Sequence, residues 1–202
     1  EFVNRYGVSR TVWREALRAI EARGLIKVVQ GKGVYVQKPG LWTVIDPMRQ
    51  LLRDQSITLK HLMQARSILE PEIVRLASLN AQEDQLEILE HDYARMTKTL
   101  DNIEKNVAVI KDFHNHLAYA TGNPVLAIMI WPIIALIPNF IDLFSTMPES
   151  SRKVCENHDK ILAALKNRDP DSAEAALRTH LIEVMKLFEN RSDEDFSVIK
   201  EE

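Results

Sequence analysis

The chain has 202 residues, is 46% hydrophobic and holds only six glycines, so it can bury a sizeable core and reads as mainly helical. Its single cysteine, Cys155, excludes an internal disulfide; with no signal-peptide pattern, a reducing cytoplasm is the expected compartment. The net charge of −3 is unevenly spread, because residues 1–38 hold eight Lys or Arg against three Glu and the remainder holds 18 basic against 26 acidic residues. A polyanionic partner is therefore expected for one end only.

Glu1-Phe2-Val3 runs straight into helical pattern with neither Met nor cap, so the sequence reads as a piece of a longer protein. Asn4 to Gly7 closes a short helix. Ser9 is a good N-cap for a helix over 10–23, on which Trp13, Leu17 and Ile20 form an apolar stripe. Arg10, Arg14 and Arg18 recur every four residues beside it, and Gly24 ends the helix. LIKVV, QGKG and VYV then read as strand, turn and strand. Basic helix followed by small hairpin predicts part of a winged helix-turn-helix over residues 1–37. QKPGLW at 37–42, broken by Pro39-Gly40, begins a linker spanning 38–45.

From 46 to 190 strand signals all but vanish, and an all-helical domain is expected, with a polar tail over 191–202. Its helices are predicted near 46–54, 58–79, 81–100, 103–120, 124–146, 150–167 and 170–190. The longest apolar run, VLAIMIWPIIALIP at 125–138, is too short for a membrane span and carries two prolines. A buried core helix is the reading, and no membrane partner is expected.

The basic helix suits duplex DNA. A helix fits the major groove, its N-terminal residues reach base edges, and arginines pair with guanine or phosphate. Ser9, Arg10, Thr11 and Arg14 occupy that N-terminal half, where the helix start also attracts phosphate. Lys32 at the hairpin tip is placed to meet a neighbouring groove or phosphate. A solvated charged helix is the bland alternative; the hairpin, charge split and linker argue against it. One recognition helix reads few base pairs, so a homodimer on an inverted-repeat operator is expected.

The second domain places polar residues on apolar stripes. Arg66 lies among Leu59, Leu62, Leu69, Ile73 and Leu76; His114 among Ile110, Phe113, Leu117 and Thr121. His158 lies among Val154, Ile161, Leu162 and Leu165, and His180 among Ala173, Leu177, Val184 and Leu187. A buried arginine needs an anion or dense hydrogen bonding. Neutral imidazoles are good zinc or nickel ligands. Together they predict a pocket in which His114, His158 and His180 hold a divalent metal and Arg66 an effector carboxylate. A pair of Arg66 with Glu70, four residues on, is the structural alternative. His61, His91 and His116 fall off the stripes and read as surface residues.

GVSRTVWREALRAIEARGLIKVVQGKGVYV resembles the reader region of GntR-type bacterial regulators. The resemblance implies DNA contacts from Ser9, Arg10, Thr11 and Arg14, with Gly31 at the wing tip. Val12 and Trp13 depart from the residues usual there. ARSILEPEIVRLA, FHNHLAYATGNPVL, NHDKILAALKNRDPDSAEAAL and RTHL resemble the FCD effector domain of the FadR subgroup, an all-helical bundle. In metal-binding members an Asp precedes the first of three His by four residues; here the His match His114, His158 and His180, and the Asp position holds Ile110. The expected function is a ligand-responsive transcriptional regulator sensing a small organic acid, a sugar acid before a fatty acyl thioester. A metal-dependent hydrolase with a three-His site is the alternative, and a sensor without DNA binding a third reading.

Overall fold

In a computed structural model the chain divides into two compact units, residues 1–50 and 51–202. The structure describes residues 6–37, 58–137 and 148–188, with positions 40, 43, 47, 48 and 50 between them. The helix expected near 46–54 and the tail over 191–202 lie largely or wholly outside the described residues, as does the end of the helix expected over 124–146.

The first unit holds α1 (Arg10–Ala22), β1 (Ile26–Val29) and β2 (Gly33–Val36). Ser9 caps α1 by accepting the Val12 N–H at 3.2 Å, and Gly24, at φ 69°, turns the chain out of it. The strands pair antiparallel from Ile26 opposite Val36 to Val29 opposite Gly33. Gly31, at φ 74°, makes the left-handed turn that joins them. The Glu21 carboxylate accepts the Val28 N–H at 2.7 Å and ties α1 to the hairpin. Trp13 stacks on Tyr6 with ring centroids 6.2 Å apart, and Leu17 is half-buried. Ile20 is 38% exposed, so the predicted stripe on α1 is only partly covered among the described residues.

The second unit is a bundle of α2 (Leu59–Asn80), α3 (Glu83–Lys98), α4 (Ile103–Tyr119), α5 (Pro124–Leu136), α6 (Pro148–Lys166) and α7 (Pro170–Phe188). Each start has a local cause. Thr58 and His61 close a capping box before α2, which gives His61 a defined task. Asn102 and Asn123 cap α4 and α5, and Pro124 opens α5 with its ring set for the first turn. Helix α2 runs through the centre and packs on α4, α5, α6 and α7.

The buried face of α2 differs from the predicted stripe. Leu69 and Leu76 lie half-buried at its edge, while Glu70, Val74 and Ala77 lie at its centre. A 3.6-residue period drifts against strict three-four alternation over six turns. His116 is another departure. It is not simply a surface residue: its ring bonds the buried Asp92 of α3 at 2.5 Å, beside an Arg95 that bridges Asp92 and Asp112.

Helix α7 starts where Asp169 accepts the Ser172 N–H at 3.0 Å, ahead of Pro170. A hydrogen bond from the Ser172 side chain, joined by this one from its backbone N–H, holds the Asp169 carboxyl below its ordinary value. A lowered native pKa contributes stability above the unfolded pKa that is lost as pH falls through the native one. Asp169→Ala should lower the melting temperature at neutral pH. Asp169→Asn, which keeps an acceptor that does not titrate, should flatten the acid limb below about pH 4. Thermal melts of the three proteins from neutral to acid pH check this, and parallel curves for wild type and Asp169→Asn would refute it.

Candidate functional site

The polar residues expected on buried stripes converge inside the helical unit. Arg66 and Glu70 on α2, His114 on α4, His158 on α6 and His180 on α7 are all at most 3% exposed. The three imidazoles place one nitrogen each within 4.8 Å of one another. Phe113 meets the His158 ring edge-on at 4.9 Å and walls one side.

The proton positions follow from the partners. His158 Nδ1 lies 2.7 Å from the Val154 carbonyl, which only accepts, so Nδ1 carries the hydrogen and Nε2 is bare. His114 Nδ1 lies 2.7 Å from a Glu70 carboxylate oxygen and carries its hydrogen for the same reason. Nε2 of His114 is then bare too. It faces Nε2 of His158 at 3.3 Å. The Arg66 Nη2 group sits 3.4 Å and 3.2 Å from the two His114 nitrogens, too evenly placed to lie along either lone pair. Nδ1 of His180 is buried with no hydrogen-bond partner among the described residues.

Electrostatics keep these rings neutral. Burial pushes His158 down to about 3, with His114 adding to the shift, and burial likewise lowers His180 and His114. Burial works in the opposite direction on Glu70, but the adjacent Arg66 guanidinium holds its carboxyl below the ordinary range. Arg66 and Glu70 form a two-point ion pair. The interior thus contains a balanced pair and three uncharged rings.

A small cavity opens beside the rings, lined by Arg66, Ile110, Lys111, His114, Val154 and His180 among others. Its volume of about 20 Å³ accommodates one water or one ion and no organic acid in this form. Two nitrogens bound to one tetrahedral zinc at the usual bond length stand about 3.3 Å apart. The His114–His158 separation matches that spacing, while the full set at 4.8 Å is wider. Facing lone pairs and an orphaned ring nitrogen are what a cation would satisfy, so the residues present fit a divalent metal.

In the first unit, Ser9, Arg10, Thr11 and Arg14 all lie exposed along the start of α1. Gly31 and Lys32 are exposed in the hairpin turn. Arg18 is engaged with Glu15 at 2.8 Å.

Comparison with known proteins decides the family. Residues 1–36 match the family described as bacterial regulatory proteins, gntR family, and residues 61–183 match the FCD domain. The chain belongs to the GntR family. Its curated relatives include the HTH-type transcriptional repressor NanR of Escherichia coli K12, 30% identical over 187 residues, which cover 87% of this chain and 69% of that protein. NanR of Edwardsiella tarda is 29% identical over 184 residues, covering 87% and 70%. The fold is shared with Streptococcus agalactiae GntR, at TM-score 0.63 and 24% identity over 91% of this chain and 85% of that one. It is shared also with E. coli McbR/YncC, at TM-score 0.57 and 21% identity over 93% and 84%.

This GntR-family chain is therefore a DNA-binding transcriptional regulator with an FCD effector domain. The curated relatives are transcriptional repressors and not hydrolases, which decides between the regulator and the hydrolase alternative. Asp112 bonds Arg95 and takes no part in the site. Among the described residues, no helix is long and apolar enough to cross a membrane. Glu70 is the site residue that sequence reasoning placed only as a partner of Arg66; the i, i+4 spacing signalled that pair, but nothing in the sequence signalled its bond to His114.

The buried ion pair yields a stability prediction. Arg66→Met leaves the Glu70 charge unpaired in the core and should cost about 3–5 kcal/mol. Arg66→Met/Glu70→Met, which removes both charges, should recover most of that loss. Urea unfolding of the two variants and wild type measures it; equal losses in single and double variants would show that the pair is not the source.

Proposed function

We propose that the protein represses transcription from an inverted-repeat operator as a homodimer, and that a small organic acid bound in the FCD domain, next to a divalent metal, changes its hold on DNA. The observation that carries the sensing half is the meeting of three neutral imidazoles on three helices, two of which, His114 and His180, line a cavity the size of one ion. The repressor sense is supported by the names of the NanR relatives.

In this reading His114, His158 and His180 hold zinc or nickel, with solvent or the effector's carboxylate completing the shell. Arg66 and Lys111 on the cavity wall supply positive charge toward the acid. Since the cavity is too small for the acid, binding requires the wall to open. Ile110 on that wall adds no ligand, so metal and acid support each other, and each should raise the other's affinity. Protein prepared without a His-tag or chelator should carry about one equivalent of metal per chain, and His158→Ala almost none. Elemental analysis measures both. Less than about a tenth of an equivalent in wild type after metal is added back would show that the rings serve the acid by hydrogen bonds alone.

At the reader, Ser9, Arg10, Thr11 and Arg14 of α1 contact the major groove, and Gly31 and Lys32 bring the hairpin against the flanking backbone. Both regions are exposed and basic, as such contacts need. Arg10→Ala and Arg14→Ala should each weaken operator binding, by about 1–3 kcal/mol for a lost base contact. A lost phosphate contact should instead weaken all sequences alike and lower the salt slope by about one ion. Titration of operator and scrambled duplexes at several salt concentrations separates the two. Unchanged affinity in both variants would place the DNA-reading surface elsewhere.

A further inference from the structure

The metal reading assigns tasks to the rings and leaves Glu70 without one beyond balancing Arg66. Its geometry is more specific than charge balance requires. One carboxylate oxygen pairs with the Arg66 Nε; the other is 2.7 Å from His114 Nδ1 and 3.4 Å from the Arg66 Nη2 group. Glu70 is 1% exposed, on the central face of α2, while His114 belongs to α4. Two helices are thus joined through one carboxylate inside the core.

We propose that Glu70 is a positioning residue for the imidazole site: by accepting the Nδ1 hydrogen of His114 it fixes that ring's tautomer and plane, leaving Nε2 bare and turned to the other two rings. Several observations carry this. His158 obtains the same service from a neutral carbonyl, that of Val154, and His180 has no partner at Nδ1. Glu70 is therefore the charged acceptor behind the set. Among the described residues the cavity wall contributes no carboxylate, so the anionic influence on any bound cation comes from one residue further out, through the His114 ring. An acceptor behind a ligating imidazole raises its basicity and orients it. Arg66 in turn holds Glu70 in place from its other side.

The proposal rests on the metal reading for its purpose but not for its geometry, and the two separate in one set of measurements. Long-range proton–nitrogen spectra of the metal-free, full chain should show the His114 hydrogen on Nδ1. A His114 hydrogen on Nε2 would overturn the proposal whatever the protein binds. Zinc affinity by chelator competition should then be compared in Arg66→Met/Glu70→Met and Arg66→Met/Glu70→Gln. Both lack the buried ion pair, and far-UV circular dichroism confirms that they fold; they differ in whether an acceptor remains at position 70. The Met variant should lose about 10–100-fold in zinc affinity, and the Gln variant should recover most of it. Equal affinity in the two variants would overturn the positioning role and leave the metal reading intact. A wild type with the Nδ1 hydrogen that takes up no zinc would instead sink the metal reading, while the tautomer would still support Glu70's role.

Discussion

The Arg66–Glu70–His114 chain of contacts is the constraint around which the helical unit is arranged. Two opposite charges and a ring are desolvated together, and each satisfies what the others need. Such a group is costly to bury and more costly to break, because a single survivor would be an unpaired charge in a low-dielectric core. It also requires α2 and α4 to keep their relative rotation. A shift of one residue on either helix would take these side chains out of reach of one another.

That constraint also bears on where the imidazoles face. Three helices deliver one imidazole each, and hydrogen bonds behind His114 and His158 direct their second nitrogens inward. Phe113 packs on the His158 ring, and Val154 of α6 and Val184 of α7 line the cavity. The result is a neutral, polar interior surrounded by hydrocarbon. Burial keeps the three rings unprotonated.

The reader depends on a different balance. Its arginines stand in solvent along the start of a capped helix, and its hairpin is held by a short ladder and one carboxylate from α1. Surface charge of this kind contributes little to stability and much to association with a polyanion. The two units therefore divide the labour by charge placement: exposed and basic in one, buried and balanced in the other.

The sequence by itself determined the helix boundaries to within a residue or two at Ser9, Thr58, Asn102, Asn123 and Asp169-Pro170, because caps and prolines act locally. It also determined which histidines are buried, since a polar residue on a helical apolar stripe has no other place to go. Only the tertiary structure decided who meets whom. Glu70 escaped the predicted stripe because the buried face of α2 rotates along six turns, and its bond to His114 spans 44 residues of sequence. His116 and Asp92 found each other for the same reason, one from each of two packed helices. Spacing permitted Arg66 both a ligand and an internal carboxylate; in the fold it pairs with Glu70 and also lines the cavity. Periodicity reports how far a side chain lies from solvent, and only the fold reports what it touches there.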